Sequence, residues 1–244
     1  MARYVDKFGG TSVADARKLY AVARKLAALR RQGHEVIGVL SAQGAATDAL
    51  LAKAREIDPD CRGRELDALL SIGELSSVTL CAMALQRLGM PAISLTGWQA
   101  GLRTDDEHGS ARVLALDNDR IERELKAGNI VLVAGFQGFN AAGDITTLGR
   151  GGSDTTAVAL AALLQADRCR IFTDVDGVYD KDPRLFKDAV KYTQISYDEM
   201  LTLARSGARV LHDRCVELAK RYRVPVEVCS TFQDVPGTLV TALS

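Results

Sequence analysis

The sequence has no excess of charge of either sign, because its 31 Lys and Arg residues balance its 31 Asp and Glu residues. A neutral chain gives no electrostatic support for binding nucleic acid or a membrane surface. Its 5 prolines argue against a long proline-rich linker. No apolar run approaches the ~20 residues of a membrane span, and the start, MARYVDKFGG, lacks the apolar core of a signal peptide. We therefore predict a cytoplasmic protein that binds neither nucleic acid nor membranes.

Cysteine and histidine are too few and too scattered to indicate a metal site. The 5 cysteines form no CxxC pair, their number is odd, and only 3 histidines are present. Zinc ligation and a disulfide framework are therefore both poor interpretations. Reduced and mostly buried thiols are the ordinary state of such residues in a cytoplasmic protein. We predict no disulfide and no metal held by the protein alone.

Strand-like and helix-like segments alternate along the 244 residues. The continuous apolar runs EVIGVLSA and IVLVAGF are typical of strands buried on both faces, and segments between such runs have apolar residues at helical spacing. This order predicts an α/β fold with an open, mostly parallel sheet sandwiched between helices. No composition break divides the chain, so we expect one domain over 1–244. Ligands bind such folds where strands end and helices begin.

The first unusual strand-to-helix junction is KFGGTSV, which follows the predicted first strand. Gly9 and Gly10 free the backbone to approach a ligand closely, and the turn offers N–H and hydroxyl donors before a helix. Lys7 could reach the same anion. The alternative is a plain tight turn, since a glycine pair is common in turns.

Two further junctions place polar residues where a substrate would lie. In LSAQGAATDALL, Ser41 ends a strand and Thr47 and Asp48 begin a helix, where either could simply be an N-cap. In SIGELSS, Glu74 lies within an otherwise apolar helix. A carboxylate there is either exposed or buried facing a pocket, where it would hold a cationic group.

The fourth junction, TTLGRGGSDTTAVALAALL, surrounds one arginine with three glycines before an apolar helix. Ser153 or Asp154 could cap that helix. Capping leaves Arg150 unexplained, whereas a bidentate clamp for a carboxylate or phosphate would explain it. Asp154 could orient a cation beside it.

The loop TDVDGVYDKDPR has aspartates before Pro183, but their spacing does not fit an EF-hand. A surface hairpin is one interpretation. The other is a nucleotide site, because Tyr179 and Arg184 would suit a base and phosphates.

Together these junctions resemble aspartate kinases of the amino acid kinase superfamily. The matching strings follow in family order over nearly the whole chain: KFGGTSVADA, SAQGAATDAL, GELSS, TGWQAGLRTDDEHGSA, AGFQGF, TTLGRGGSDTTAVALAALLQAD, TDVDGVYDKDPR and GARVLHDRCVELAKRY. The resemblance implies the amino acid kinase fold and transfer of the γ-phosphoryl group of ATP, carried with Mg²⁺, to the side-chain carboxylate of L-aspartate. The product would be 4-phospho-L-aspartate, on the way to lysine, threonine and methionine.

The resemblance also implies a role for each motif residue. The part at about 1–140 would form the amino-acid side and the part at about 141–244 the nucleotide side. The expected catalytic residues are Lys7 and Asp154. The expected aspartate-binding residues are Ser41, Thr47, Glu74, Arg150 and Ser153. The expected nucleotide-binding residues are Lys7, Gly9, Gly10, Thr11, Ser12, Thr173, Asp174, Tyr179, Arg184 and Arg209.

Three residues depart from the family pattern. The family usually has lysine and proline where this chain has Arg209 and Asp213, and a threonine where it has Ala46. Typical relatives continue past PGTLV into paired ACT domains that bind lysine or threonine, so we expect no feedback by these amino acids. For association, a homodimer is the default expectation. The alternatives are a kinase of another acidic amino acid or related carboxylate or phosphate, such as a uridylate kinase, and a nucleotide-binding relative without turnover.

Overall fold

The computed structural model describes residues 1–183, 185–207 and 210–243. The strands are β1 (Arg3–Phe8), β2 (Glu35–Leu40), β3 (Ala92–Leu95), β4 (Leu102–Thr104), β5 (Val113–Leu116), β6 (Ile130–Ala134), β7 (Gln137–Phe139), β8 (Ile145–Thr147), β9 (Arg168–Thr173), β10 (Gln194–Ser196), β11 (Val226–Ser230) and β12 (Thr238–Thr241). The helices are α1 (Ala16–Arg31), α2 (Ala46–Ile57), α3 (Arg64–Leu70), α4 (Ile72–Arg87), α5 (Asp119–Lys126), α6 (Gly152–Leu163), α7 (Tyr197–Arg205) and α8 (Asp213–Tyr222).

The main sheet has eight strands in the order β10-β12-β11-β9-β1-β2-β6-β3. All neighbouring pairs are parallel except β11 and β12, which are antiparallel. β1 lies between β2 and β9, so at the centre of the sheet a strand from the start of the sequence is next to one from its last third. The predicted α/β fold with a mostly parallel sheet is confirmed.

Each central strand sends alternate side chains into two separate cores. On β2, Ile37 and Val39 face the helices α5 to α8, whereas Val36 and Leu40 face α1 and α4. Alternation of this kind follows from the two-residue period of a strand, and it explains why β2 and β6 read as continuous apolar runs. The helices therefore cover both faces of the sheet, as the sequence predicts.

A second, four-stranded sheet in the order β5-β4-β7-β8 was not predicted. Its strands have only three or four residues each. β4 and β7 are parallel, and the outer pairs are antiparallel. This small sheet leads the chain from β6 to the glycine-rich junction before α6.

The apolar segment on either side of Glu74 forms two helices, α3 and α4, that meet at Ser71. Taken together, Arg64–Arg87 is long and apolar enough to cross a membrane by length and composition alone. More than half of its most apolar window, 56%, is buried inside the fold, as in the core helices of globular proteins.

The structure excludes the helix-cap interpretation at two junctions. The residue before α6 is Gly151, which has a left-handed φ of 68°, and Ser153 and Asp154 lie inside the first turn. Similarly, α2 begins after Ala45, so neither Thr47 nor Asp48 is an N-cap. The side chains of these four residues therefore do not cap the N-termini of α2 and α6.

Candidate active site

A cleft of about 550 Å³ opens where β1 and β2 end and where α4 and α6 begin. This is the edge of a parallel sheet at which α/β proteins bind their ligands. Eight residues predicted from the separate motifs line it together: Lys7, Gly10, Ser41, Thr47, Glu74, Arg150, Ser153 and Asp154.

Lys7 and Asp154 form an ion pair at the floor of the cleft. The Lys7 Nζ lies 2.6 Å from the Asp154 Oδ1, and each side chain is 12% exposed. β1 holds the lysine and the first turn of α6 holds the aspartate. The N-terminal end of a helix also carries partial positive charge, which favours an anion nearby. The pair therefore presents a fixed ammonium group to any phosphate that enters.

Glu74 is buried, with 3% of its surface exposed. Its Oε1 accepts the Ala42 N–H at 3.1 Å, while its Oε2 is buried with no hydrogen-bond partner among the described residues. Burial raises the pKa of Glu74 to about 7, against the lowering effect of the Ala42 N–H. A buried carboxylate with one free oxygen aimed into a cleft is suited to receive a cationic group.

Gly73 allows Glu74 to reach this position. A Cβ at Gly73 would lie 2.8 Å from the Cβ of Ala42, so a larger residue would push the start of α4 away from the end of β2. The sequence shows only a glycine inside an apolar helix. The structure explains this glycine by the close approach of α4 to the end of β2, two segments that are distant in the sequence.

The glycine-rich turn before α6 is shaped by the residue that precedes α8. A Cβ on Gly151 would lie 2.3 Å from the Cβ of His212, and its φ of 68° also favours glycine. Arg150, one position earlier, is exposed at the rim of the cleft. No carboxylate in the described part of the chain forms an ion pair with it. Its guanidinium is therefore available to a ligand.

A second cleft of about 580 Å³ adjoins the first, and the two share Gly151 and Asp154. Its other walls come from the end of α7 and the start of α8. Arg209 belongs to the segment between these helices and, like Arg184, lies outside the described residues. The shared Asp154 places the Lys7 pair at the boundary between two ligand-sized spaces.

Three further residues predicted to bind the nucleotide lie at the end of β9 or in the loop that follows it: Thr173, Asp174 and Tyr179. They do not line the first cleft. Thr173 ends β9, next to β1, and its Oγ1 donates to Asp174 Oδ1 at 2.9 Å. Tyr179 Oη donates to Asp176 Oδ1 at 2.9 Å, and Asp176 also pairs with Lys191. These bonds order the loop after β9.

Within the glycine turn after β1, the residues differ in availability. Gly9 donates its N–H to Phe172 O at 3.3 Å, and Thr11 is exposed. Ser12 is fully buried: its N–H donates to Gly9 O, and its Oγ lies 2.6 Å from Thr231 Oγ1. Ser12 therefore shapes the turn, while Gly10 and Thr11 remain open to a ligand.

Two of the residues that depart from the family pattern, Asp213 and Ala46, lie at the starts of helices. Asp213 is the first residue of α8, a position that suits both proline and an acidic residue. Its Oδ1 accepts the Arg214 N–H at 2.8 Å and lies 2.7 Å from His212 Nδ1. Ala46 is the first residue of α2, and its methyl group offers no hydrogen bond.

Sequence reasoning missed Gly109 and Phe136, which also line the cleft. Phe136 has an unusual left-handed φ of 69°, and its N–H donates to Thr156 Oγ1 at 3.1 Å. Both residues belong to strings that were quoted for the resemblance, DEHGSA and AGFQGF, but neither side chain indicates a function by its chemistry. Among the described residues, no group of three or more His, Cys, Asp or Glu side chains is placed to hold a metal ion.

An open, mostly parallel sheet with a polar cleft at its carboxyl edge, lined by charged groups of both signs, defines a class of α/β proteins that bind small polar ligands. The chain belongs to the amino acid kinase family, whose sequence profile matches residues 2–230.

Named relatives agree with the motif resemblance. The chain is 52% identical over 240 residues to an aspartokinase of Geobacillus stearothermophilus, which covers 98% of this chain. It superimposes on an aspartate kinase from Synechocystis with a TM-score of 0.88, 46% identity and 99% coverage. It superimposes on E. coli aspartokinase III in complex with aspartate and ADP with a TM-score of 0.89, 29% identity and 100% coverage. The chain spans 59%, 40% and 65% of these three relatives.

Proposed function

We propose that this chain transfers the γ-phosphoryl group of ATP to the side-chain carboxylate of L-aspartate, giving 4-phospho-L-aspartate and ADP. The observation that carries the proposal is that one cleft contains both a buried carboxylate oxygen without a hydrogen-bond partner, Glu74 Oε2, and an exposed guanidinium, that of Arg150. One site for an ammonium group and one for a carboxylate fit the two ends of an amino acid. The Lys7–Asp154 pair lies between them and the adjoining cleft.

In this proposal Glu74 binds the ammonium group of aspartate and Arg150 clamps its α-carboxylate. Ser41, Thr47 and Ser153 add hydrogen bonds from the surrounding strand and helix ends. The side-chain carboxylate of the substrate is the nucleophile. It needs no general base, because a carboxylate with an ordinary pKa near 4 is already ionised at neutral pH. The task of the protein is to bring two anions together and hold them in line.

Lys7 meets the charge that develops on the phosphoryl group during transfer. Asp154 fixes the direction of the lysine through the 2.6 Å contact. The turn around Gly9 and Gly10, with Thr11, brings backbone N–H groups toward the phosphates, and Ser12 holds the shape of that turn.

Most nucleotide contacts are assigned to the part of the chain at about 141–244 and most amino-acid contacts to the part at about 1–140. Arg150 and Ser153 bind the amino acid from the former part, and the turn after β1 binds the phosphates from the latter. The remaining nucleotide contacts in this proposal are Thr173, Asp174, Tyr179, Arg184 and Arg209. Mg²⁺ bound with ATP would neutralise phosphate charge, and the carboxylate of Asp154, which also pairs with Lys7, would suit an ion that takes one or two protein carboxylates and keeps several waters. We further propose a cytoplasmic enzyme that associates, if at all, as a homodimer.

The proposal predicts that aspartate stimulates ADP release in the presence of Mg²⁺, whereas glutamate and uridine monophosphate do not. The two sites would hold the ammonium group and α-carboxylate of either amino acid, but the extra methylene of glutamate would move its side-chain carboxylate out of line with the phosphoryl group. A nucleoside monophosphate leaves Glu74 without a cation. The measurement is a coupled assay of ADP with each acceptor and with none. Equal rates with glutamate would contradict the substrate assignment, and no acceptor-dependent ADP would indicate a binding protein without turnover.

Replacing Arg150 with alanine is expected to raise the KM for aspartate by roughly tenfold to a hundredfold while leaving kcat within a few-fold. The guanidinium meets a charge that is present both in the bound substrate and in the transition state, so its loss removes uniform binding. The matched control is Arg123→Ala, which removes an exposed arginine from α5. A fall in kcat at unchanged KM would place Arg150 at the reacting phosphoryl group instead.

A further inference from the structure

Asp67 is a buried carboxylate outside the lining of the cleft, with 1% of its surface exposed. It lies in α3 and accepts four hydrogen bonds. Its Oδ2 accepts the Gly109 N–H at 3.0 Å and the Thr147 N–H at 2.8 Å, and lies 3.0 Å from His108 Nδ1. Its Oδ1 accepts the Thr147 hydroxyl at 2.6 Å. The proposed chemistry uses none of these contacts.

These bonds join three segments that are far apart in the sequence. Thr147 ends β8, immediately before the glycine-rich turn that carries Arg150. Gly109 lines the cleft, and its carbonyl oxygen would lie 3.0 Å from a Cβ placed on Gly149. The Asp67 carboxylate therefore fixes the backbone on which Arg150 stands.

The helix that carries Asp67 leads directly into the helix that carries the opposite charge. The Ser71 N–H donates to the carbonyl of Asp67 at 3.1 Å, an ordinary helical bond at the break between α3 and α4. Glu74 follows in the first turn of α4. The Asp67 carboxylate therefore ties the α3–α4 segment that carries Glu74 to the segment that carries the Arg150 guanidinium.

We propose that Asp67 is a positioning residue that sets the separation between Glu74 and Arg150 and so determines the affinity for the amino-acid substrate. The inference rests on the proposed aspartate kinase activity. A small error in the placement of a binding group is enough to lower catalytic efficiency by a large factor. Nucleotide binding depends on other strand ends and should not change.

The test compares Asp67→Ala, Asp67→Asn and the control Glu65→Ala, which removes an exposed carboxylate from the same helix. The alanine removes the acceptor of two backbone N–H groups, and that of Thr147 is then buried without a partner. The asparagine keeps an acceptor oxygen for both, and its NH₂ group can donate to the Thr147 hydroxyl. We expect the KM for aspartate to rise roughly tenfold to a hundredfold in Asp67→Ala and less in Asp67→Asn. The KM for ATP should stay within twofold, and Glu65→Ala should behave as the wild type.

Calorimetric titration of aspartate in the presence of ADP gives the same comparison without turnover. If the KM for aspartate is unchanged in Asp67→Ala, or if the KM values of both substrates rise together, Asp67 has no specific positioning role. If Asp67→Ala does not fold, Thr147→Val decides: a raised KM for aspartate alone supports the inference, and an unchanged one overturns it. A wild-type protein that neither binds nor phosphorylates aspartate would overturn the proposed function and this inference together.

Discussion

Replacing Lys7 with alanine is expected to lower the kcat for ADP release by about a thousandfold or more. The ammonium group lies at the boundary of the two clefts, where negative charge is redistributed as the phosphoryl group moves. Because that charge develops in the transition state, its loss appears in kcat more than in the KM for aspartate. The measurement is a steady-state assay at saturating aspartate, ATP and Mg²⁺.

The controls separate a lost catalytic charge from a damaged fold. Removing Lys7 leaves Asp154 nearly buried without its partner, which lowers the free energy of unfolding. The double variant Lys7→Ala/Asp154→Ala removes that unpaired charge, so its Tm should recover while its kcat stays low. Lys53→Ala, which removes an exposed lysine from α2, should have wild-type activity. A Lys7→Ala protein with unchanged kcat would show that the lysine has no part in the transfer.

Replacing Glu74 with glutamine is expected to have opposite effects on binding and on stability. The affinity for aspartate should fall roughly a hundredfold, because the ammonium group of the substrate loses its buried charged partner. The free energy of unfolding at pH 8 should rise by on the order of 3 kcal/mol. The pKa of Glu74 is raised from 4.5 to about 7 in the folded protein, and each pKa unit is worth about 1.4 kcal/mol.

The pH dependence gives this prediction its sign. The unfolded chain releases the Glu74 proton near pH 4.5 and the folded protein near pH 7. Between these values the unfolded state binds fewer protons, so the wild type loses stability as the pH rises. Glutamine does not titrate, so the advantage of the variant should fall below about 1 kcal/mol at pH 5.

Urea denaturation at pH 5 and pH 8 measures this difference, with Glu56→Gln as the control for an exposed glutamate. A stability difference that is the same at both pH values would mean that the buried carboxylate is not the cause. Unchanged affinity for aspartate would remove Glu74 from the binding site.

The sequence predicts the parts of the fold that have a strong local pattern. β2 and β6 are continuous apolar runs because both of their faces are buried, and this pattern is visible without any structure. The short strands of the second sheet, such as β4 and β7, have three residues each and too little periodicity to be recognised. Their pairing depends on contacts with strands that are distant in the sequence, and a short stretch of sequence does not show such contacts.

The same distinction applies to the site. Lys7 and Arg150 stand out because charge beside glycine at a strand-to-helix junction has few structural explanations. For Asp154 the sequence leaves two interpretations open, a helix cap and a partner for a cation, and the pattern alone does not choose between them. In the structure Gly151 precedes α6 with a left-handed φ, and the carboxylate pairs with Lys7. Asp67 was missed because its partners are 41 to 80 positions away, and in its own helix it is one of three charged residues with nothing to distinguish it.

The central place of β1 has a consequence for how the protein is made. β1 is synthesised well before one of its two neighbours, β9, which comprises residues 168–173. On the ribosome, one edge of β1 therefore stays without its hydrogen-bonding partner until β9 has emerged. The same delay applies to Lys7, whose counterion belongs to α6. Domains fold largely as units during synthesis, and here both the second edge of β1 and the charge of Lys7 stay unpaired until the segments at 152–173 are made.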